Sequence, residues 1–287
     1  MPINDNILIK LREMKSSLTP IEKIIAEYIL ENTEDVPQMS VKALAQNTKT
    51  SDASVMRFCK SLGYTGYRDF IVSISSALGS RDEENFNQYT DIQPGDDLAT
   101  IINNISLNNC KSIQDTQSVL NSGEVDRAVN LLRKTNRIVF MGIGASGLVC
   151  MDAEQKFTRI NKICHAYTEA HSILMAATLL APGDVAVFIS NSGDTTDILE
   201  ALDIAKKAGI SRIAITKYAK SELSANADVV LYISTPEITI RSGAMGSRIA
   251  MLNVIDILYA GVASAEYQNV KKYLIKTHNI LNLKHKK

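Results

Sequence analysis

The chain has no tryptophan, few phenylalanines, no surplus of either charge and no long uninterrupted apolar run. Sparse aromatics beside 45% hydrophobic residues point to a soluble α-rich or α/β protein. Thirty-one Lys and Arg are balanced by 31 Asp and Glu, so there is no overall basic field and any nucleic-acid contact must come from a local patch. Pro182-Gly183-Asp184, and further on Asn253 and Asp256, interrupt the longest apolar stretches and argue against a bilayer span. MPINDNILIKL lacks the basic region, apolar run and small-residue cleavage site of a secretory signal, so a cytoplasmic chain without membrane partners is expected. Cys59, Cys110, Cys150 and Cys164 form no C-x-x-C pair and have no His at zinc-ligand spacing. They are expected to be buried, reduced thiols, and neither metal nor cofactor is expected. No internal repeat or low-complexity tract is present.

At 287 residues the chain is long enough for two domains. Thr19-Pro20-Ile21-Glu22 is a capping box with Pro at the first helical position. It predicts a helix over 20–31 with Ile21, Ile24, Ile25, Tyr28 and Ile29 on one face. Ser40 caps a second helical pattern (Val41, Leu44, Ala45). The polar turn Asn47-Thr48-Lys49-Thr50 follows, and Ser51 caps a third helix carrying Val55, Phe58, Cys59 and Leu62. Gly63 ends it in the left-handed conformation. Two short helices joined by such a turn make a helix-turn-helix, whose second helix fits the major groove. With the apolar residues inward, the helical period places Ser51, Ser54, Arg57 and Lys60 outward. From Lys42 to Arg68, five basic residues face a single acid, Asp52. The same pattern fits an ordinary three-helix bundle with a solvated charged face.

Residues 51–70, SDASVMRFCKSLGYTGYRDF, settle more than patterning does. Ser51, Ser54, Val55, Arg57, Phe58, Cys59, Lys60, Leu62, Gly63, Tyr64, Gly66 and Tyr67 all fall on the signature of the RpiR family of bacterial transcriptional regulators, which this segment closely resembles. The resemblance continues through nearly the whole chain and implies DNA binding through Lys49, Thr50, Ser51, Ser54, Arg57 and Lys60. One departure stands in the turn, which in the family often has Gly where this chain has Lys49. A non-Gly residue in the left-handed region costs about 1–2 kcal/mol.

GSRDEENFNQYTDIQPGDD, residues 79–97, is polar with little apolar periodicity and is expected to be a linker. Beyond it, helical patterns near 98–120 and 124–134 precede short apolar runs at 137–142, 162–167, 184–190, 212–216 and 229–234. Strands of that length alternating with helices imply a parallel sheet covered on both faces. After the first strand comes Gly142-x-Gly144-x-x-Gly147, which fits a dinucleotide fingerprint and other phosphate-handling turns alike. After the third comes Ser190-Asn191-Ser192-Gly193-Asp194-Thr195, opening a helix without any Lys, so it is no nucleotide-triphosphate P-loop. In the plainest reading Asp194 and Asp197 merely cap that helix.

The two turns resemble those of the sugar isomerase (SIS) domain, a flavodoxin-like phosphosugar-binding fold. By that resemblance Ser190, Ser192 and Thr195 hold the phosphate and Asn191 shapes the loop. Gly144, Ser146, Glu237 and His171 are then the further effector-binding candidates, while IRSGAMGSRIAMLNVIDILY (240–259) closes the domain. His165 is expected in the core, and His278 and His285 in a polar tail. The dinucleotide alternative has Glu169, about 20 residues beyond Gly147, where a ribose-binding acid stands. It leaves the hydroxyl-rich second turn unexplained.

The expected fold class is α/β: an N-terminal all-α helix-turn-helix domain (1–78), a linker (79–97), and a five-stranded parallel α/β sandwich (98–287) that also drives assembly into a homodimer or homotetramer. The expected function is transcriptional regulation of carbohydrate metabolism, with a duplex DNA operator and a small phosphosugar effector as partners and no catalytic residue. A phosphosugar isomerase or lyase with an accessory helical domain is the alternative. The apolar helix around Ile249–Ala263 and a C-terminal helix after Glu266 are the candidate contact surfaces.

Overall fold

Three hydroxyl residues start three of the N-terminal helices. Thr19 Oγ1 accepts from Glu22 N at 3.5 Å while Thr19 N donates to Glu22 Oε2 at 3.0 Å, so the capping box closes in both directions. Ser40 Oγ accepts from Ala43 N at 3.1 Å and Ser51 Oγ from Ser54 N at 3.2 Å. The structure is a computed structural model describing residues 7–15, 18–79, 95–235 and 243–284. The chain divides into two units, Met1–Asn104 with Tyr218–Lys220, and Ile105–Lys217 with Ser221–Lys287.

The N-terminal unit contains α1 (Ile7–Met14), α2 (Pro20–Glu31), a 3-10 turn (Val36–Gln38), α3 (Val41–Asn47), α4 (Asp52–Ser61) and α5 (Tyr67–Gly79). Ile7, Leu8, Leu11, Ile25, Ile29, Leu44, Val55, Phe58, Cys59, Phe70 and Ile74 form its core. Phe70 meets Phe58 and Tyr64 edge-on, with centroids 6.0 and 5.4 Å apart. Burial of such a side chain stabilises the unit by about 1.5–3 kcal/mol. The expected face of α2 is corrected: Ile21 and Ile24 are 49% and 47% exposed, and the buried seam is Ile25, Ala26 and Ile29. The helix is turned so that its smallest side chain, Ala26, takes the inner position. Of the linker, 80–94 lies outside the described residues.

The second unit takes in most of α6 (Leu98–Val119), then α7 (Ser122–Lys134), β1 (Ile138–Met141), α8 (Ala145–Arg159), β2 (Cys164–Tyr167), α9 (Ala170–Thr178), β3 (Val185–Ile189), α10 (Thr196–Lys207), β4 (Ser211–Lys217), α11 (Glu222–Asn226), β5 (Val229–Ile233), α12 (Met245–Ala265) and α13 (Tyr267–Lys284). The sheet is five-stranded and parallel, in the order β2-β1-β3-β4-β5. Alternate residues serve opposite faces. Phe140, Val187, Ile189, Ile213 and Ile215 pack with α7, α8 and α12, whereas Met141, Ala186, Phe188 and Ala214 pack with α9 and α10. Both faces being covered is why β1 and β3, and the middle of β4, are apolar without alternation.

Three expectations change. His165 is exposed, its Nδ1 3.7 Å from Glu154 Oε1, because β2 is the edge strand. His278 lies in α13 rather than in a tail, and His285 lies outside the described residues. Cys110 is exposed, whereas Cys59, Cys150 and Cys164 are buried. Burial pushes the Cys59 thiol up to about 12 and raises Cys150 and Cys164 as well, which keeps these thiols protonated and inert. By length and composition α12 is able to cross a membrane, but its Ala250, Met251, Val254, Ile255, Leu258 and Val262 are buried in the unit's own core.

Candidate functional site

Two sites emerge, one in each unit. In the N-terminal unit α3 ends with Lys49 N donating to Gln46 O at 3.1 Å and Thr50 N to Ala45 O at 2.8 Å, the paired bonds of a Schellman motif. The motif needs a left-handed residue at its corner, and Lys49 supplies it at φ 51. Thr48 Oγ1 donates to Leu44 O at 2.8 Å and lies 2.9 Å from Thr50 Oγ1, so the turn is braced from within. Lys49, Ser51, Arg57 and Lys60 are exposed and Thr50 is half-buried.

Ser54 differs from its expected outward placement. It is 9% exposed, and its hydroxyl sits 2.9 Å from Ser51 Oγ while accepting from Arg57 Nη2 at 3.3 Å. Standing one turn before Arg57, it is placed to aim the guanidinium. Ala53, which the helical pattern did not single out because a lone alanine carries no chemistry, stands exposed in the first turn of α4. Gly63, at φ 92, ends the helix.

In the second unit the strand order places the turns after β1 and β3 on either side of the point where connections change direction, the crevice in which such sheets bind ligands. The turn after β1 depends on its glycines. Gly144 adopts φ 63 and ψ −127, and a Cβ on Gly147 would lie 2.9 Å from Gly142 O and 3.0 Å from Thr168 Cβ. Ser146 is buried, with its hydroxyl 3.9 Å from Met251 Sδ.

The turn after β3 gathers hydroxyls. Ser190 Oγ lies 3.1 Å from Thr195 Oγ1 and 3.5 Å from Ser192 Oγ, and Ser192 and Thr195 are 3.4 Å apart. Gly193 N donates to Ser190 Oγ at 3.2 Å and Asp194 N to Ser192 Oγ at 3.3 Å. Gly193 itself, at φ 74, leaves no room for a side chain beside Ser221 Cβ and Thr216 Oγ1. The trio sits where α10 begins: Thr195 is its N-cap, and no side-chain hydrogen bond caps the helix among the described residues. Asp194 turns away and accepts from Glu222 N at 3.1 Å, while Asp197 lies in the first turn, so neither is the cap. Neutral donors beside a helix N-terminus without a side-chain cap are the chemistry that suits an anion.

Asn191 Oδ1 and Thr216 Oγ1 are buried without a hydrogen-bond partner among the described residues. Thr216 and Ser221 were invisible to sequence reasoning, since a threonine ending a strand and a serine opening a short helix look purely structural. His171 is exposed in the first turn of α9, beyond the edge strand. Glu169, the acid the dinucleotide alternative needs, caps α9 by accepting from Ser172 N at 3.2 Å. Glu237 lies outside the described residues.

The helix-turn-helix domain model of the rpiR family matches residues 5–81 and the SIS domain model matches 131–261. Over 279 residues the chain is 42% identical to an HTH-type transcriptional regulator of Caldanaerobacter subterraneus subsp. tengcongensis, covering 97% of this chain and 98% of that one. It is 29% identical to the regulator RpiR of Escherichia coli, covering 95% and 91% respectively. Among solved structures, the Vibrio vulnificus NanR protein complexed with ManNAc-6P matches with a TM-score of 0.60 at 28% identity, covering 96% of this chain and 98% of that one.

Proposed function

Because the chain belongs to the rpiR family of helix-turn-helix transcriptional regulators, we propose that a phosphorylated sugar, held between the turns after β1 and β3, sets its affinity for a duplex DNA operator. The observation that carries this reading is the cluster of Ser190, Ser192 and Thr195 on the uncapped N-terminus of α10. These groups take the phosphate, with the helix dipole and free N–H groups adding to three neutral hydroxyls. The turn Gly144–Ser146 lies beside the sugar, with Asn191 holding the floor and His171 at the outer rim. NanR complexed with ManNAc-6P is a relative of near-equal length whose ligand belongs to that chemical class.

On the DNA side Lys49, Arg57 and Lys60 supply cations to phosphates or guanine edges, and Thr50 and Ser51 supply hydroxyls that fix register. Ser54 acts through Arg57. The reader spans 1–78, the linker 79–97 and the sensor 98–287, and the protein works in the cytoplasm as a homodimer or homotetramer, since one recognition helix reads few base pairs.

The test is a thermal-shift screen against phosphosugars, because a ligand that binds only the folded state raises its stability. The hit is then added to an operator titration while the sugar is assayed for conversion. The reading requires operator affinity to change with the sugar intact. Turnover together with absent operator binding would place the chain with the isomerases or lyases instead.

A further inference from the structure

We propose that Thr216, at the end of β4, is a positioning residue of the phosphate site, whose hydroxyl supports Ser190 when the anion is bound. The proposal rests on the reading of the Ser190–Thr195 turn as that site. Ile189 of β3 is in register with Ile215 of β4, and Ser190 N donates to Ile215 O at 3.1 Å, so the next residues, Ser190 and Thr216, follow side by side on neighbouring strands. They follow Phe188 and Ala214, which share the α9–α10 face, so alternation puts both on that face. Thr216 is 0% exposed, and its Oγ1 lies where a Cβ on Gly193 would be 2.9 Å away, directly under the turn. Its neighbour Ser221 accepts from Ser224 N at 3.2 Å and donates its proton to Ser224 Oγ at 3.1 Å, so it has none to give Thr216. The Thr216 hydroxyl makes no hydrogen bond among the described residues, so its proton is free to be donated.

Each hydroxyl has one proton and two lone pairs. Without ligand, Ser190, Ser192 and Thr195 share their protons among themselves, and Ser190 Oγ also accepts from Gly193 N. The dianionic phosphate of a sugar monoester has only acceptor oxygens, and inorganic phosphate presents at least three of its four oxygens in that form, so all three hydroxyl protons turn toward it. Ser190 Oγ then loses any proton it received from its partners. A small adjustment of the turn brings the Thr216 hydroxyl to that vacancy. The chain Thr216 O–H to Ser190 Oγ, and Ser190 O–H to phosphate, polarises cooperatively and holds Ser190 in the donating orientation. A buried hydroxyl left unpaired disfavours the unliganded state, so the residue shifts the balance toward the bound form from both sides.

The experiment uses the full-length chain, titrated with inorganic phosphate at constant ionic strength and separately with ManNAc-6P, for wild type, Thr216→Val, Thr216→Ser and Ser190→Ala. Thr216→Val keeps the shape and removes the hydroxyl. Its melting temperature without ligand should equal or exceed that of wild type, while its Kd for both probes rises about tenfold; Thr216→Ser should restore the wild-type Kd. A purely structural threonine moves stability downward and leaves affinity alone. A lower melting temperature or failure to fold in Thr216→Val, or an unchanged Kd while Ser190→Ala has lost binding, overturns the role of Thr216 and leaves the phosphate site standing. Wild-type protein that binds neither probe overturns the site and this proposal together.

Discussion

At Lys49 two demands on one residue oppose each other. The corner after α3 requires a left-handed backbone, which Lys49 adopts at φ 51. For a residue with a Cβ that conformation costs about 1–2 kcal/mol, and glycine is free of it. The same residue is an exposed cation immediately before the hydroxyl pair Thr50 and Ser51. Lys49→Gly should raise the stability of the N-terminal unit by about 1 kcal/mol, read as a higher urea midpoint at unchanged slope. It should also weaken operator binding across sequences and reduce the salt-dependence slope by about 1. An unchanged midpoint contradicts the strain, and an unchanged slope removes Lys49 from the phosphate contacts. Opposite signs from one substitution would show that this turn gives up stability to place a charge.

Among the elements, α2 and α4 separate what caps do from what faces do. Thr19 and Glu22 hold the start of α2 reciprocally, and Ser61 Oγ donates to Glu22 Oε1 at 2.8 Å. Burial works to raise the Glu22 pKa, but the Thr19 and Ser61 hydrogen bonds outweigh it and the net shift is downward. A carboxyl with a depressed folded pKa adds stability above the ordinary glutamate range, and that stability is lost as pH falls through the lower folded value. Thr19→Ala should cost about 1 kcal/mol at neutral pH. The difference between mutant and wild type should shrink on acidification; a pH-independent difference would show that Glu22 has no part in it. On α4, the exposed Arg57 and Lys60 leave the core untouched, so the double substitution to Ala should fold normally and lose at least ~1–3 kcal/mol of operator affinity. Unchanged affinity would dismiss α4 as the reading helix. These caps were legible in the sequence because a cap is local, with donor and acceptor three residues apart. The strands were legible because apolar runs bounded by turns are local too. What escaped were properties that depend on neighbours: the exposure of His165 follows from β2 being at the edge, and that of Ile21 and Ile24 from the rotation of α2. The site divides in the same way. Ser190, Ser192 and Thr195 lie in one turn and could be read from it, whereas Thr216 reaches that turn only through the β3–β4 register.

For the whole molecule, a regulator requires that effector and operator each distinguish the same two states of the protein. A ligand with equal affinity for both shifts nothing, however tightly it binds. If the phosphosugar changes operator affinity by some factor, operator DNA must change phosphosugar affinity by that same factor, typically about 5–150-fold. The prediction is therefore a closed cycle of four measured affinities, taken at protein concentrations where light scattering shows a constant oligomer of two or four chains. Wild type should give equal coupling along both routes. Ser190→Ala and Ser192→Ala each remove one of the three hydroxyl donors of the turn after β3 and should abolish the coupling. Both lie in the second unit, outside the reading helix, so ligand-free operator affinity should stay at the wild-type value. Equal coupling in wild type and both variants would take these serines out of the sensor. A monomer by light scattering would remove the paired reading helices that the affinity argument needs. Unequal factors along the two routes would mean that a further equilibrium, such as subunit association, is linked to one of the ligands, and repeating the cycle across protein concentrations would expose it because only that equilibrium depends on the concentration of chains.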